Sequence, residues 1–466
     1  MADERFAEHL QHPVGRGRVP AHDGVAGGAV CGDLVRIGIA VHGDRVGDAG
    51  FEAAGCGAAQ AAGSAAVDLV LGAPVLHAAR VGTHAIADAL GGLSPGKLHA
   101  AELAADALAR ALGVAVAADG SAPTDSDRTL VAMSGGVDSA VAALRSEAGS
   151  TAAAVTLELW RDPANDADRS CCSASAVRGA RALAHGMGLA HFTLDLREEF
   201  RAGVVDPWLA DHAAGLTPNP CVRCNGAVRL DAMLAFADRI GAATLSTGHY
   251  ARRTPDGLLR LAADPAKDQA YMLAGLSRDS LARLRFPLGD LTKAQVRAIA
   301  AEHDLPVASK PDSQDLCFLA GTGRAAFLAR HGGLGERPGD IVDAGGRVLG
   351  RHRGAHHFTV GQRRGLELDG EPEPLYVLRT DADANVVTVG PRAALATRAV
   401  RVRDARLHGP AADVDAVKLR YRAPAVPCSL DGDTVALRDP VDGAAPGQTA
   451  VFLRGDAVLG CATIAA

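Results

Sequence analysis

Ala132-Met133-Ser134-Gly135-Gly136-Val137-Asp138-Ser139 follows the apolar run RTLVAM and opens a helical pattern, which makes it a strand-to-helix turn. Gly135 and Gly136 permit the tight turn, and successive backbone N–H groups at the helix start form an anion cradle where the dipole favours phosphate. Ser134 and Ser139 add hydroxyl donors, and Asp138 is placed to hold Mg²⁺ against the phosphates. No Gly-Lys-Ser/Thr follows, so the loop is not of the Walker A type.

Outward from this loop the text alternates strands and helices: AAAVTLELW, a helix over SAVRGARALAHGMG, HFTLDL and later AATLSTGHYA. That alternation predicts an α/β domain whose parallel sheet is covered on both faces. On the N-terminal side DGSAPTDSD, Asp119 to Asp127, reads as a linker. Before it, VRIGIAVHGDRVGDAGFEA alternates apolar and polar residues around Gly43-Asp44 as a β-hairpin does. AAGSAAVDLVLG and Lys97 to Leu112 then read as helices of a small α+β module. From about Gly332 helical periodicity fades, and EPLYVLRT, NVVTVG, AVKLRYR and QTAVFLRG predict a C-terminal β-barrel. The expected boundaries are 1–118, a linker at 119–127, 128–325, 326–395 and 396–466.

With 466 residues, 48% hydrophobic and 22% charged, the chain has the composition of a multidomain globular protein and not of a disordered one. A net charge of −6 means that any polyanionic partner needs a local basic face. No stretch reaches the roughly 20 apolar residues of a membrane span, and the start lacks a secretory pattern, which predicts a cytoplasmic protein. Nine cysteines are too few for a disulfide scaffold and point to metal, redox or packing roles.

Two cysteine segments select the chemistry. Thr217-Pro218-Asn219-Pro220-Cys221-Val222-Arg223-Cys224-Asn225 runs into a helical pattern, so Cys224, just ahead of a helix N-terminus and beside Arg223, is expected to ionise near neutral pH. Ser309-Lys310-Pro311-Asp312-Ser313-Gln314-Asp315-Leu316-Cys317-Phe318 supplies another cysteine in a polar loop. Two such thiols on a phosphate-binding domain suggest sulfur transfer, while a CxxC by itself equally suits a structural metal or a redox pair. Arg347, Arg351, Arg353, Arg363 and Arg364 with His352, His356 and His357 form a basic segment suited to phosphate contacts.

SGGVDS resembles the PP-loop of ATP pyrophosphatases, which cleave ATP between the α- and β-phosphates. From Arg128 onward SGGVDSAVAA, TPNPCVRCN, STGHYAR, DPAKDQAYML, FPLGDLTKAQVR, LPVASKPDSQDLCF, GRHRGAHHFTVGQRRGL and PGQTAVF together resemble the tRNA-specific 2-thiouridylase family. The resemblance implies a PP-loop Rossmann-like domain, a small central domain and a C-terminal β-barrel. It implies ATP on Ala132 to Ser139 with Leu157 and Gly248, and the target uracil at Asn219, Pro220 and Cys221. Cys224 matches the nucleophile and Cys317 the persulfide carrier. His249, Lys267, Asp268, Gln269, Arg420, Tyr421 and Gln448 match tRNA-contacting positions. The implied reaction adenylates the wobble uridine of tRNA, replaces its O2 by sulfur and releases AMP and pyrophosphate, with a cysteine desulfurase or another relay as sulfur donor.

Residues from about Phe6 to Leu112 resemble NifU/IscU-type iron–sulfur scaffolds through Val30-Cys31-Gly32-Asp33, the hairpin after it and Gly55-Cys56-Gly57. Cys31, Asp33, Cys56 and His99 match ligand positions, but Ala100 replaces the third cysteine, so the module is expected either to dock on sulfur-transfer partners or to hold zinc, iron or a labile cluster. Adjacent Cys171-Cys172 are read as structural, and Cys428 and Cys461 as barrel core. Because Cys221 stands where relatives that use a disulfide commonly carry Asp, Cys221, Cys224 and Cys317 are also read as ligands of a [4Fe-4S] cluster. Two rival readings stand beside this one: an amidotransferase-type synthetase, which leaves the thiols without a use, and an iron–sulfur carrier whose PP-loop domain binds ATP without catalysis.

Overall fold

The structure is a computed structural model that describes residues 2–28, 32–147, 151–162, 173–311, 316–319, 321–366, 368 and 373–466. The chain divides into two compact units. One comprises Met1–Arg197, Asp231–His249 and Arg283–Gln314, and the other Glu198–Leu230, Tyr250–Ala282 and Asp315–Ala466. The segment 128–325 therefore contributes to both.

In the first unit the N-terminal module is a three-stranded antiparallel sheet of β1 (His22–Gly27), β2 (Leu34–His42) and β3 (Arg45–Ala54). Its buried Val35, Ile37 and Ile39 alternate along β2, the period-two pattern that places one face against helices. Those helices are α1 (Gly57–Val70) and α2 (Leu98–Asp119), lined by fully buried alanines such as Ala61, Ala65, Ala104 and Ala111. Small side chains let helix and sheet approach closely. The expected hairpin and both expected helices are present, with α2 running seven residues past Leu112 to Asp119.

The second layer system of this unit is a five-stranded parallel sheet in the order Leu284–Arg285, β7 (Ala242–Ser246), β4 (Asp125–Ala132), β5 (Ala152–Glu158), β6 (Ala190–Asp195). Helices α3 (Val137–Glu147) and α4 (Ala174–Gly186) follow β4 and β5. β4 starts inside the stretch read as linker, leaving residues 120–124 between α2 and the sheet.

The module docks on the free edge of this sheet. The outward N–H of His191 on β6 donates to Ala79 O at 2.8 Å, so the edge strand finds a hydrogen-bond partner in the module. His185 Nε2 donates to the same carbonyl at 3.0 Å. Asp106 of α2 meets Arg181 of α4 at 2.5 Å with both side chains buried, and Arg110 of α2 meets Glu158 of β5 at 3.1 Å. At Gly113 a Cβ would sit 1.9 Å from Thr193 O, so α2 reaches β6 only because that position is glycine.

In the second unit, six strands form a closed antiparallel barrel in the order Ala396–Leu407, Thr434–Asp442, Val426–Asp431, Ala416–Lys418, Thr449–Arg454, Ala457–Ile464, with the last pairing back to the first. Val417, Val435 and Phe452 fill it. Short strands Leu259–Arg260 and Arg252–Arg253 extend the sheet from Ala457–Ile464. A separate four-stranded sheet, Val348–His352, Gly339–Val342, Val386–Pro391, Leu375–Asp381, closes over Ile341, Val377 and Val387. AVKLRYR is strand only over Ala416–Lys418. Arg420 and Tyr421 lie in a turn closed by Ala423 N–H donating to Arg420 O at 3.2 Å.

Candidate functional site

In the first unit β4 ends at Ala132 and α3 begins at Val137, so the loop between them is the expected strand-to-helix turn. Ser139 Oγ donates to Gly136 O at 3.0 Å and accepts from Ser134 N–H at 3.2 Å, which ties the loop's two ends together. Thr156 of β5 donates to Met133 O at 2.9 Å and His191 approaches the same hydroxyl at 2.8 Å. Leu157 is buried beside Thr156. At Gly248 a Cβ would lie 2.9 Å from Asp138 C and Ser139 N, so only glycine lets this segment touch the start of α3.

Two lysines complete the loop that sequence reasoning left without a role. Lys293 Nζ donates to both oxygens of Asp138 at 2.7 and 2.8 Å, and Lys310 Nζ donates to Gly135 O at 2.8 Å. Lys293 is the first residue of a helix, Lys293–Glu302, capped by a Thr292/Gln295 capping box. A cation at the positive end of a helix is unfavourable without an anionic partner, and that misplacement was the available signal. The cradle therefore presents two ammonium groups, two hydroxyls and one carboxylate, a donor set suited to a polyphosphate and a divalent cation.

In the second unit Asn219 caps α5 (Pro220–Cys224), its Oδ1 accepting from Cys221 N–H at 3.1 Å and Val222 N–H at 3.4 Å. A π-turn, Asn225–Arg229, follows directly. Cys224 is thus not ahead of a helix N-terminus, as its sequence context suggested, but a full turn inside a helical run and buried. The dipole argument does not reach it. Cys221 occupies the first turn, and burial pushes its thiol up, with Arg229 pulling it partly back. Cys317 is half-buried in a turn beside Phe318, which is anchored among Trp208, Phe327 and Phe200 at 5.1 to 5.9 Å between ring centroids. Cys221, Cys224 and Cys317 are not joined in a disulfide.

The expected tRNA positions divide. Asp268 is buried and turned inward: its Oδ1 accepts from Ala262 N–H at 2.9 Å and its carboxylate faces Lys418 at 3.6 Å. It holds its loop in place. Its neighbours Lys267 and Gln269 are half-exposed, and Gln269 Oε1 accepts from Tyr250 N–H at 3.0 Å. Gln448 donates to Thr217 O at 2.8 Å, Arg420 is exposed, and the Tyr421 ring tilts against Tyr271 at 5.9 Å. In the first unit His249 pairs with Thr247 Oγ1 at 2.9 Å. The basic segment is less basic than its text. Arg347, Arg351 and Arg353 pair with Asp343, Asp340 and Glu336, and burial lowers the pKa of His352, His356 and His357, keeping them neutral at pH 7.

In the module Asp33 Oδ2 lies 2.9 Å from His99 Nε2 and 3.2 Å from Cys56 Sγ, and Oδ1 accepts from Cys56 N–H at 2.8 Å. The Cys56 N–H and the His99 ring lower the Asp33 pKa. Among the described residues this is the one group of three His, Cys, Asp or Glu side chains whose ligand atoms all lie within 4.8 Å of one another. Cys31 falls outside the described residues, as do Cys171 and Cys172, and Ala100 is fully buried. Cys428 and Cys461 belong to the barrel, with thiols pushed up to about 11 by burial, in keeping with a packing role.

Comparison with known proteins covers nearly the whole chain. Family profiles described as a NifU-like N terminal domain, a tRNA methyl transferase HUP domain, a tRNA methyl transferase PRC-barrel domain and an aminomethyltransferase beta-barrel domain match residues 1–115, 127–321, 325–391 and 398–464. A bifunctional protein NifU/MnmA of Rubrobacter xylanophilus is 44% identical over 97% of this chain and 96% of its own length. A tRNA-specific 2-thiouridylase MnmA of Salinispora tropica is 47% identical over 73% of this chain and 99% of its own, and that of Thermobifida fusca is 44% identical over 72% and 95%.

Proposed function

The chain belongs to the bifunctional NifU/MnmA family, and with that as premise we propose that it is a tRNA-uridine 2-sulfurtransferase preceded by an iron–sulfur scaffold-like module. The observation that carries the reading is the pairing, in one chain, of a PP-loop cradle with the cysteines Cys221, Cys224 and Cys317. An amidating synthetase on the same loop has no use for those thiols.

ATP binds on Ala132 to Ser139, with Lys293 and Lys310 supplying positive charge for the phosphates. Asp138 would hold Mg²⁺, which neutralises phosphate charge, and the Lys293 contact holds that carboxylate in place meanwhile. The target base leaves its stack at least energetic expense from a single-stranded loop, and Asn219, Pro220 and Cys221 meet it. Uracil O2 attacks the α-phosphate and pyrophosphate departs, leaving an adenylated oxygen as leaving group. The terminal sulfur of a persulfide on Cys317, supplied by a cysteine desulfurase or relay protein, attacks C2. Cys224 attacks the Cys317 sulfur, the disulfide forms, AMP leaves with the oxygen, and a thiol reductant resets the pair. We place the reaction in the cytoplasm with its tRNA; no helix among the described residues is long and apolar enough to cross a membrane.

Cys221 favours a second reading of the sulfur step. Three cysteines are the donor set that soft iron prefers, and a [4Fe-4S] cluster on Cys221, Cys224 and Cys317 would supply an iron with an open position for hydrosulfide. In the module Asp33, Cys56 and His99 fit a single zinc or iron ion as three converging donors.

The test is thiolation of a tRNA transcript with ATP and a sulfur donor, read by nucleoside mass spectrometry. Asp138→Ala is expected to lower pyrophosphate release by about a hundredfold or more while tRNA affinity stays within about twofold. A variant that thiolates like its parent would remove the PP-loop assignment. Iron and acid-labile sulfide in anaerobically purified protein, lost on Cys221→Asp, decide between relay and cluster.

A further inference from the structure

The helical run that carries the reactive cysteines has a second face. Asn219, Val222, Arg223, Gly226 and Ala227, spaced at three and four, line a cleft of about 460 Å³, while Cys221 and Cys224 do not. That volume suits one nucleotide and is too small for a duplex.

Three backbone irregularities border this one cleft. The π-turn Arg201–Val205 contributes Gly203 and Val204, and the π-turn Asn225–Arg229 contributes Gly226 and Ala227. Opposite them the barrel strand Ala396–Leu407 is bulged: its register against Ala457–Ile464 shifts between Arg403 and Arg406, and Asp404 takes φ +56°. π-turns and bulges persist where a site needs side chains re-aimed. Here the bulge brings both Arg403 and Arg406 to the cleft, facing Arg223 of α5.

Charge makes the cleft selective. Arg223 and Arg406 form no ion pair among the described residues, Asp211 of the lining is drawn on by Arg223 and Arg403 from a distance, and the closest acid to Arg403 is its own neighbour Asp404, at 2.5 Å on an exposed edge where an ion pair contributes little. Asp211 is the other acid in the lining. Three guanidinium groups around a space of this size suit a phosphate, which they can grip bidentately. The cleft also adjoins the RNA-facing positions. Asn219 and Pro220 belong to its wall, as do Gly447 and Thr449 on either side of Gln448, which donates to Thr217 O at 2.8 Å.

We infer that the cleft receives one nucleotide of the substrate RNA next to the target uridine, its phosphate held by Arg223, Arg403 and Arg406, and so fixes which base meets the thiols on the opposite face of the run. The inference rests on the tRNA-thiolation reading. A free nucleoside monophosphate carries the same phosphate chemistry and is separated from RNA by the test.

The measurement is filter binding of an anticodon stem-loop RNA over a range of salt, for the parent, for Arg403→Gln with Arg406→Gln, and for Arg223→Gln on the other wall. These side chains are exposed, so the variants keep the fold. The double variant is expected to raise Kd roughly tenfold and to flatten the log–log salt slope by about one unit for each phosphate it no longer neutralises. A methylphosphonate at the phosphate flanking the target is expected to weaken the parent equally and to cost the double variant nothing further. Unchanged Kd and slope in both variants, or a methylphosphonate penalty undiminished in the double variant, would overturn the inference. So would parent binding to labelled AMP that the double variant loses while its RNA binding stays intact. Should the parent make no 2-thiouridine in the companion assay, the thiolation reading falls, and the methylphosphonate comparison still decides the cleft.

Discussion

His212 is a single residue with a pH dependence of its own. It is buried against Trp208, ring centroids 4.4 Å apart, and burial lowers its pKa to about 3. In the unfolded chain the same imidazole takes a proton near 6.5. Below that pH the unfolded state binds the extra proton and the folded state does not, so its contribution to stability is full above about pH 6.5 and is lost as pH falls toward 3. Chemical denaturation followed by Trp208 fluorescence at pH 7.5 and 5 should show this loss, and His212→Asn should reduce the difference between the two. Burial also explains which single residues were legible. Glycines and serines of the PP-loop announce themselves because their chemistry is local, within eight positions. Asp268 matches a tRNA-contacting position by resemblance alone, and its contact with Lys418 was not legible, because the two stand 150 positions apart and no window joins them.

Helix α2 is the element on which the first unit turns, since it closes the module on one side and meets β6 on the other. Removing Asp106 leaves Arg181 buried without its closest carboxylate, a change worth about 3–5 kcal/mol when one partner of a buried pair is deleted. Asp106→Ala is therefore expected to open the docking locally, seen as faster hydrogen exchange at the His191 amide, while the amides of β4, in the middle of the sheet, keep their protection. Equal protection of His191 in variant and parent would show that the Asp106–Arg181 pair is ornamental. The strands and helices themselves are readable from periods of 2 and 3.6, and the final turns of α2 are less so because Gly113 interrupts the Ala/Leu pattern just after Leu112. The π-turns and the barrel bulge are not readable, because each is a one-residue departure from a period that the sequence otherwise keeps.

For the molecule as a whole, a net charge of −6 has to coexist with a polyanionic substrate. The pairing of Arg347, Arg351 and Arg353 with acids, together with the lowered pKa of His352, His356 and His357, leaves Arg363 and Arg364 as the exposed cations of that segment without an ion pair among the described residues. Arg363→Ala with Arg364→Ala should weaken tRNA binding and flatten its salt dependence by about two units of log–log slope, whereas Arg347→Ala should leave the slope nearly unchanged; filter binding distinguishes them. The domain order was legible from the change of texture along the chain. The docking of the module on β6 was not, since it joins residues about a hundred positions apart that carry no shared motif. Its connection is short: the five residues 120–124 span at most about 18 Å when extended. A tether of that reach keeps the two faces at an effective concentration on the order of millimolar, whatever the abundance of the protein. The contact through Ala79, Asp106 and Gly113 consequently never faces dilution, and an affinity far too weak to join two separate polypeptides at about micromolar levels suffices to keep the scaffold-like module permanently beside the ATP-binding sheet.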